Sequence, residues 1–244
     1  MPVFTVELAG IPVKIQCRYP DNESFFRDYL TDREPLLTIS PSEADLIRTQ
    51  ACFDRVDDAK NIPRRRIDPA FLENNAIHSA LAEALTEYGV ILLHGSALSI
   101  DGQGVVFVAS SGTGKSTHAR LWRQMYGNRV FMINDDKPLI RITDGQAFIY
   151  GTPWNGKHGL SRNASAPLKA VVSLERDSSN HIGPMSRQDA YPLLIKHAYR
   201  TGNPLLMSRI LDLEDRLLGA ASFLRLGCNT DPEAALVAYN GIFA

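Results

Sequence analysis

The sequence is poor in the features that would mark a membrane, secreted or metal-stapled protein. It has three cysteines, Cys17, Cys52 and Cys228, which are odd in number and far apart. They lack the paired spacing of a zinc site or a redox motif, and this fits a reduced compartment. No apolar run approaches 18 residues, which excludes a membrane-spanning helix as read from sequence. The start, Met1 to Glu7, has neither a basic flank nor a long apolar stretch, so a cytoplasmic protein without a secretion signal is expected. The sequons at Asn22 and Asn163 then read as chance. Charge of either sign is also not in excess: 26 basic against 27 acidic residues leave a net charge of −1. That balance gives no general attraction to nucleic acid or to anionic membrane, and neither is expected as a partner. Arg64-Arg65-Arg66 is the one basic run, and Asp54, Asp57 and Asp58 offset it. Repeats, low-complexity tracts and flexible linkers are lacking too. What remains is 244 residues with 44% hydrophobic content, enough for one substantial core.

One stretch names a ligand. The apolar run Val105 to Ala109 leads into Ser110, Ser111, Gly112, Thr113, Gly114, Lys115, Ser116 and Thr117, and an amphipathic helix follows. Glycines let backbone N–H groups turn toward a polyphosphate, and the helix start adds roughly half a positive charge. Lys115 has the reach for β- and γ-phosphates, and the Ser116 hydroxyl suits the accompanying Mg²⁺. The first glycine of the usual phosphate-loop pattern is replaced by Ala109. An unliganded Gly/Ser turn is the alternative, but Gly-Lys-Ser between a buried strand and a helix seldom arises that way.

Alternation around Ala9-Gly10 predicts a hairpin of residues 3 to 8 and 11 to 17. A short helix near Glu23 to Leu30 and a strand at Leu36 to Ile39 follow. Ser40-Pro41 with Glu43 predicts a capped helix reaching about Phe53, and Asp68-Pro69 opens a second with a core face from Phe71 to Tyr88. A strand from Val90 to Ile100 then reverses at Asp101 to Gly104 and feeds the glycine-rich loop, so this strand's sequence neighbour is antiparallel and the sheet is mixed. Beyond it the pattern predicts a strand at Val130 to Ile133, a hairpin around Thr143 to Gly145, a strand at Leu168 to Leu174 and a helix from Ser186. A helix from Asn203-Pro204, a strand at Phe223 to Leu226 and a last helix from Asp231-Pro232 complete it. The expected fold is α/β, with a small α+β subdomain over residues 1–66 and a mixed-sheet phosphate-loop domain over 67–244.

Asp135 and Asp136 follow Lys115 by 20 and 21 residues, about one helix plus one returning strand. That spacing brings two carboxylates beside the loop. Side chains alternate along a strand, so both serve one site only if the chain turns there, as Lys137-Pro138 suggests. One would hold the metal and the other would accept a proton from an attacking hydroxyl. Asp-Asp is also a common turn pair. His94 reads equally as a hydrogen-bonded core residue or as a group that orients a carboxylate or phosphate.

The hairpin with His94-Gly95, the Ser-Ser-Gly-Thr-Gly-Lys-Ser loop and Asp135-Asp136 together resemble the catalytic domain of bacterial HPr serine kinase/phosphorylase, which shares its nucleotide-binding architecture with phosphoenolpyruvate carboxykinase. The match covers roughly Tyr88 to Leu174. By position, the resemblance implies Lys115 and Ser116 on phosphates and Mg²⁺, Asp135 as hydroxyl-activating base, Asp136 as metal ligand and His94 as assistant. The longer N-terminal domain and the C-terminal substrate-recognition segment of the true HPr kinases are not found, nor are the extra metal and oxaloacetate residues of carboxykinases. The sequence is more similar to small HPr-kinase-like proteins that accompany peptide-modification or transferase genes. In Gly151 to Arg162, Lys157 and Arg162 have the charge to stabilise a transferring phosphoryl group, with a solvated polar loop as the alternative.

The expectation is therefore a kinase that uses ATP, or another nucleoside triphosphate, with Mg²⁺ to phosphorylate a hydroxyl of a small protein, a peptide or a metabolite. A nucleotide-responsive binding protein is the main rival, and a carboxykinase-like enzyme or a simple NTPase is less favoured. The acceptor, the base preference and whether the chain forms a homo-oligomer are left open by the sequence.

Overall fold

The structure is a computed structural model and describes residues 1–110 and 112–244. The chain divides into two compact units, Met1–Leu85 and Thr86–Ala244.

In the first unit, β1 (Val3–Leu8) and β2 (Ile11–Gln16) pair antiparallel. Ala9 and Gly10 take φ of 52° and 74°, the left-handed pair that a two-residue hairpin turn requires. Helix α1 (Asp21–Phe25) precedes β3 (Leu37–Ile39), which adds parallel to β2. The next helix, α2 (Glu43–Ala59), starts later and runs further than the sequence suggests. Ser42, not Ser40, is its cap: the Ser42 Oγ accepts from the Asp45 amide, and the Asp45 carboxylate accepts from the Ser42 amide at 2.7 Å. This reciprocal pair satisfies two otherwise orphaned donors, which a cap at Ser40 would leave open. Helix α3 (Pro69–Ala84) is capped as expected by Asp68, whose Oδ1 accepts from the amides of Ala70 and Phe71.

The unit boundary falls after α3, beyond the expected division at residue 66. The reason is packing. Leu72 and Ala76 of α3 bury against Leu46 of α2, and the buried Glu73 carboxylate accepts from the Arg18 and Tyr19 amides at 2.8 and 3.1 Å. Phe71, at the first turn of α3, stays 53% exposed and is not part of the core face.

The second unit contains β4 (Val90–Leu92), β5 (Ser96–Ile100), β6 (Gln103–Val108), α4 (Lys115–Tyr126), β7 (Val130–Asn134), β8 (Leu139–Thr143) and β9 (Gln146–Tyr150). It continues with β10 (Ser165–Arg176), β11 (His181–Pro184), α5 (Arg187–His197), α6 (Pro204–Ala220), β12 (Ser222–Cys228) and α7 (Glu233–Phe243). The strands form one mixed sheet with the path β4-β8-β9-β10-β6-β5-β7, and β12 pairs with both β10 and β11.

β10 organises this sheet. Its first residues alternate between buried and exposed and pair antiparallel with β9, whereas Ala170 to Leu174 are buried on both faces and lie parallel between β6 and β12. Continuous burial is what a strand covered by helices on both sides shows. On one face, α5 and α6 contribute Ala190, Leu194, Leu213 and Leu217; on the other, α4 and α7 contribute Leu121, Trp122, Ala235 and Ile242. Each such large side chain, fully buried, contributes about 1.5–3 kcal/mol before entropy is counted.

Two expectations differ from this sheet. The single strand from Val90 to Ile100 is two strands, broken at Leu93 to Gly95, with β4 on β8 and β5 between β6 and β7. Gly95 has no room for a side chain, since a Cβ would come within 2.8 Å of Val106 and 2.9 Å of the Phe107 carbonyl. The short β11, with only Ile182 as a strong strand former, carries no sequence signal and is ordered by pairing with β12.

Candidate functional site

β6 ends in the sheet interior, and the chain reaches α4 through residues 109–114. Gly112 and Gly114 hold φ of 79° and 121°, values side-chain-bearing residues rarely adopt. Gly114 is the N-cap of α4 and offers no side-chain cap, so the first-turn amides lack that partner and the positive end of the helix faces the loop. Lys115 curls back and its Nζ donates to the Ala109 carbonyl at 2.9 Å. Burial lowers the Lys115 pKa, against the opposing pull of Asp136 and Asp135. Two further cations brace the loop from outside: Arg176 Nη2 donates to the Gly112 carbonyl at 2.6 Å and Lys196 Nζ to Ser110 Oγ at 2.7 Å. Thr113 closes a turn on the Ser110 carbonyl, and Thr117 lies in the first turn of α4. Ser111 lies outside the described residues.

β6 and β7 are both antiparallel to β5, so they run the same way and end at the same edge of the sheet. Asp135 and Asp136 follow β7 there. The turn that lets both serve one site is built by the buried Asn134. Its Oδ1 accepts from the amides of Asp136 and Lys137 at 2.8 and 2.6 Å, and its Nδ2 donates to the Thr152 carbonyl and hydroxyl at 2.9 and 3.0 Å and to the Trp154 carbonyl at 3.2 Å. A side chain that mimics a backbone turn in this way is what bends a strand end sharply.

The two carboxylates have different surroundings. Asp135 is buried; its Oδ1 accepts from Ser96 Oγ at 2.6 Å and lies 3.3 Å from Ser116 Oγ. Asp136 keeps 27% side-chain exposure, and its Oδ1 sits 3.2 Å from His94 Nδ1. Burial works to raise the Asp136 pKa, but the hydrogen bond and charge of His94, with Lys137 and Lys115, outweigh it and hold the group below its ordinary value. The break between β4 and β5 is what allows this pairing: the His94 amide donates to the His197 carbonyl, and the Gly95 amide to the Asp136 carbonyl at 3.0 Å. His197, behind this pair, is buried and its pKa is lowered to about 4 by desolvation, with Lys196, Lys115 and His94 adding to the shift.

The segment following β9 returns against the carboxylates. At Gly156, φ is 66° and a Cβ would lie 3.1 Å from that of Asp136. Lys157 and His158 are exposed in the helical turn that follows. Arg162 does not converge on the acids in the same manner: its guanidinium covers the Phe131 ring at 5.4 Å. A cavity of about 450 Å³ runs along α4 beside this segment, lined by Ser116, Arg120, Arg123, Asp135, His158 and Leu160. Neither arginine is ion-paired among the described residues, and Arg123 Nε has no hydrogen-bond partner.

Of the residues singled out from sequence, the fold therefore gathers His94, Lys115, Ser116, Asp135 and Asp136, and leaves Lys157 in solvent and Arg162 on an aromatic ring. Sequence reading missed Ser96, Asn134, Lys196, Arg176 and the two arginines of α4. Only Arg120 and Arg123 had a legible signal, being four and seven residues after Ser116 and hence on its face of the helix.

A strand, a glycine-rich loop, a helix start and two adjacent acids at one edge of a mixed sheet define a helix-covered α/β protein with a polar site at its strand ends. The chain belongs to the ScmC family, described as SynChlorMet cassette protein ScmC, whose family pattern matches residues 68–208. No curated protein matches the sequence. Among solved structures, the Hpr(Ser) kinase/phosphatase from Coxiella burnetii is similar over 61% of this chain and 94% of that chain, with 15% identity and a TM-score of 0.38. No helix among the described residues is long and apolar enough to cross a membrane.

Proposed function

We propose that this protein is a phosphotransferase that moves the γ-phosphoryl group of Mg-ATP, or of another nucleoside triphosphate, to a hydroxyl of a peptide, a small protein or a metabolite. The observation that carries this reading is the 3.3 Å approach of Ser116 Oγ, at the start of α4, to Asp135 Oδ1, at the end of β7. A hydroxyl and a carboxylate at that separation are hard oxygen donors of the kind Mg²⁺ takes, with phosphate oxygens and water completing its shell. When bound, Mg²⁺ would neutralise charge on the β- and γ-phosphates.

The chain's own residues supply the remainder. Residues 112–117 present backbone amides and the helix dipole to the phosphates, and Lys115 moves from the Ala109 carbonyl to a phosphate oxygen. Asp136 takes the proton of the attacking hydroxyl. This exchanges the two roles implied by the family resemblance, because Asp135 is buried and committed to two hydroxyls while Asp136 is accessible, ionised and oriented by His94. The cavity along α4 reaches Asp135, beside Asp136, and its Arg120 and Arg123 favour a group with negative charge there. Lys157, next in sequence to His158 of that lining, adds an exposed cation.

Incubation with γ-labelled ATP, Mg²⁺ and hydroxyl-bearing candidates tests the reading. Label appearing on an acceptor, and lost in Asp136→Asn, is expected. Tight nucleotide binding with no transfer to any acceptor would instead assign a nucleotide-responsive switch.

A further inference from the structure

A second cavity, of about 350 Å³, opens on the other flank of the glycine-rich loop. Gly112 and Thr117 form its near wall, Leu174 at the end of β10 and Leu121 of α4 its apolar part, and Cys228 and Asn229 at the end of β12 its far side. We infer that this cavity holds the base and ribose of the nucleoside triphosphate whose phosphates the loop takes; the inference rests on the function proposed above and specifies its ligand.

Sheet order makes the argument. The path β12-β10-β6-β5-β7 puts this cavity and the Asp135-Asp136 pair on opposite sides of the β6 loop. A polyphosphate laid across the loop with its terminal group at the acids therefore emerges at the cavity. β6, β10 and β12 are parallel, and the cavity lies at their carboxyl ends, where open α/β sheets receive ligands. Its volume falls in the range of about 300–1,000 Å³ typical of small-molecule sites, and apolar walls with a polar rim suit a flat heteroaromatic ring. The carboxylate of Asp177 and the side chains of Asn229 and Thr230 supply that rim.

A buried histidine stands behind this wall. His118 is only 2% exposed; its Nε2 accepts from Trp122 Nε1 at 3.0 Å, which leaves the proton of the neutral ring on Nδ1. That Nδ1 has no hydrogen-bond partner. The imidazole stands edge-on to the Phe107 ring with centroids 4.8 Å apart, so this buried, neutral ring adds to the apolar wall of the cavity.

The test uses the full chain with Mg²⁺ and three probes: ATP, inorganic tripolyphosphate and 8-azido-ATP. Calorimetry is expected to show ATP binding at least about tenfold more tightly than tripolyphosphate. Photolysis with 8-azido-ATP is expected to label the segments 174–177 or 228–230, read by peptide mass spectrometry. Equal affinity for ATP and tripolyphosphate, or labelling elsewhere or nowhere while ATP is bound, overturns the inference and leaves the phosphate site standing. Failure of both ATP and tripolyphosphate to bind would remove the proposed function itself.

Discussion

Ser116 Oγ and Asp135 Oδ1 lie 3.3 Å apart although their residues are 19 positions apart in sequence. One helix and one strand separate them, and the return of β7 alongside β5 closes the distance. The same return puts Asp136 beside His94, so two carboxylates one residue apart acquire different partners. That division of surroundings is the basis for giving them different roles.

Substitution should separate those roles. Asp135→Asn is expected to weaken Mg²⁺-dependent nucleotide binding, with little change in binding measured without Mg²⁺. Asp136→Asn should leave Mg-nucleotide affinity within a factor of a few and abolish label transfer. Calorimetry with and without Mg²⁺, beside a transfer assay, reads both. Equal effects of the two variants on Mg²⁺ dependence would contradict the assignment.

The His94 contact makes a prediction in pH. On the proposed mechanism Asp136 must be ionised to accept a proton, and its pKa is held below the ordinary value, so transfer is expected at neutral pH and should fall as pH drops through that lowered value. Replacing His94 by Ala removes the strongest favourable influence on the ionised form, and the acid limb of the rate profile should move to higher pH. An unmoved limb would show that His94 does not act on Asp136.

Asn134 is expected to be a stability hot spot. Asn134→Ala takes the side-chain acceptor from the Asp136 and Lys137 amides and the side-chain donor from the Thr152 carbonyl, while the Thr152 hydroxyl keeps its bond to the Lys137 carbonyl. Leaving buried polar groups unpaired costs about 1–3 kcal/mol each, so equilibrium denaturation should show a loss of roughly 2–4 kcal/mol. Transfer activity should fall further than global stability, because the turn that aims the carboxylates is lost.

Acid should also destabilise the second unit through His118. Desolvation lowers its pKa to about 4, from an ordinary 6.5. The unfolded chain takes up a proton below 6.5 while the folded chain does not, so stability is full above 6.5 and declines as pH falls toward 4. The loss amounts to roughly 3 kcal/mol at the low end. In His118→Gln, which retains an acceptor for Trp122, the slope of stability between pH 6.5 and 4.5 should be clearly shallower by urea denaturation. An unchanged slope would locate the titrating group elsewhere.

Much of this architecture is legible where local chemistry decides it. Ala9-Gly10, Asp68-Pro69 and the loop at Gly112 to Ser116 are short signals with one physical reading, and the structure has a turn, a cap and a strand-to-helix crossing there. The 20-residue spacing from Lys115 to Asp135 also foretells adjacency, since it fits a helix and a strand. What sequence could not supply depends on distant partners. The break of the strand at His94 is dictated by Asp136 and His197 contacts, and the end of the first unit by Glu73 reaching Arg18 and Tyr19. Asn134 was unremarkable as a residue type because its importance lies in five hydrogen bonds, three of them to Thr152 and Trp154 on a later segment.

The most direct test of the central claim is calorimetric titration of Mg-ATP into the wild-type chain and into Lys115→Ala, with folding of both verified by circular dichroism. The account predicts saturable binding by the wild type that weakens by about 10²-fold or more in the variant. Absence of Mg-ATP binding by the folded wild type, or equal affinity in the variant, would contradict it.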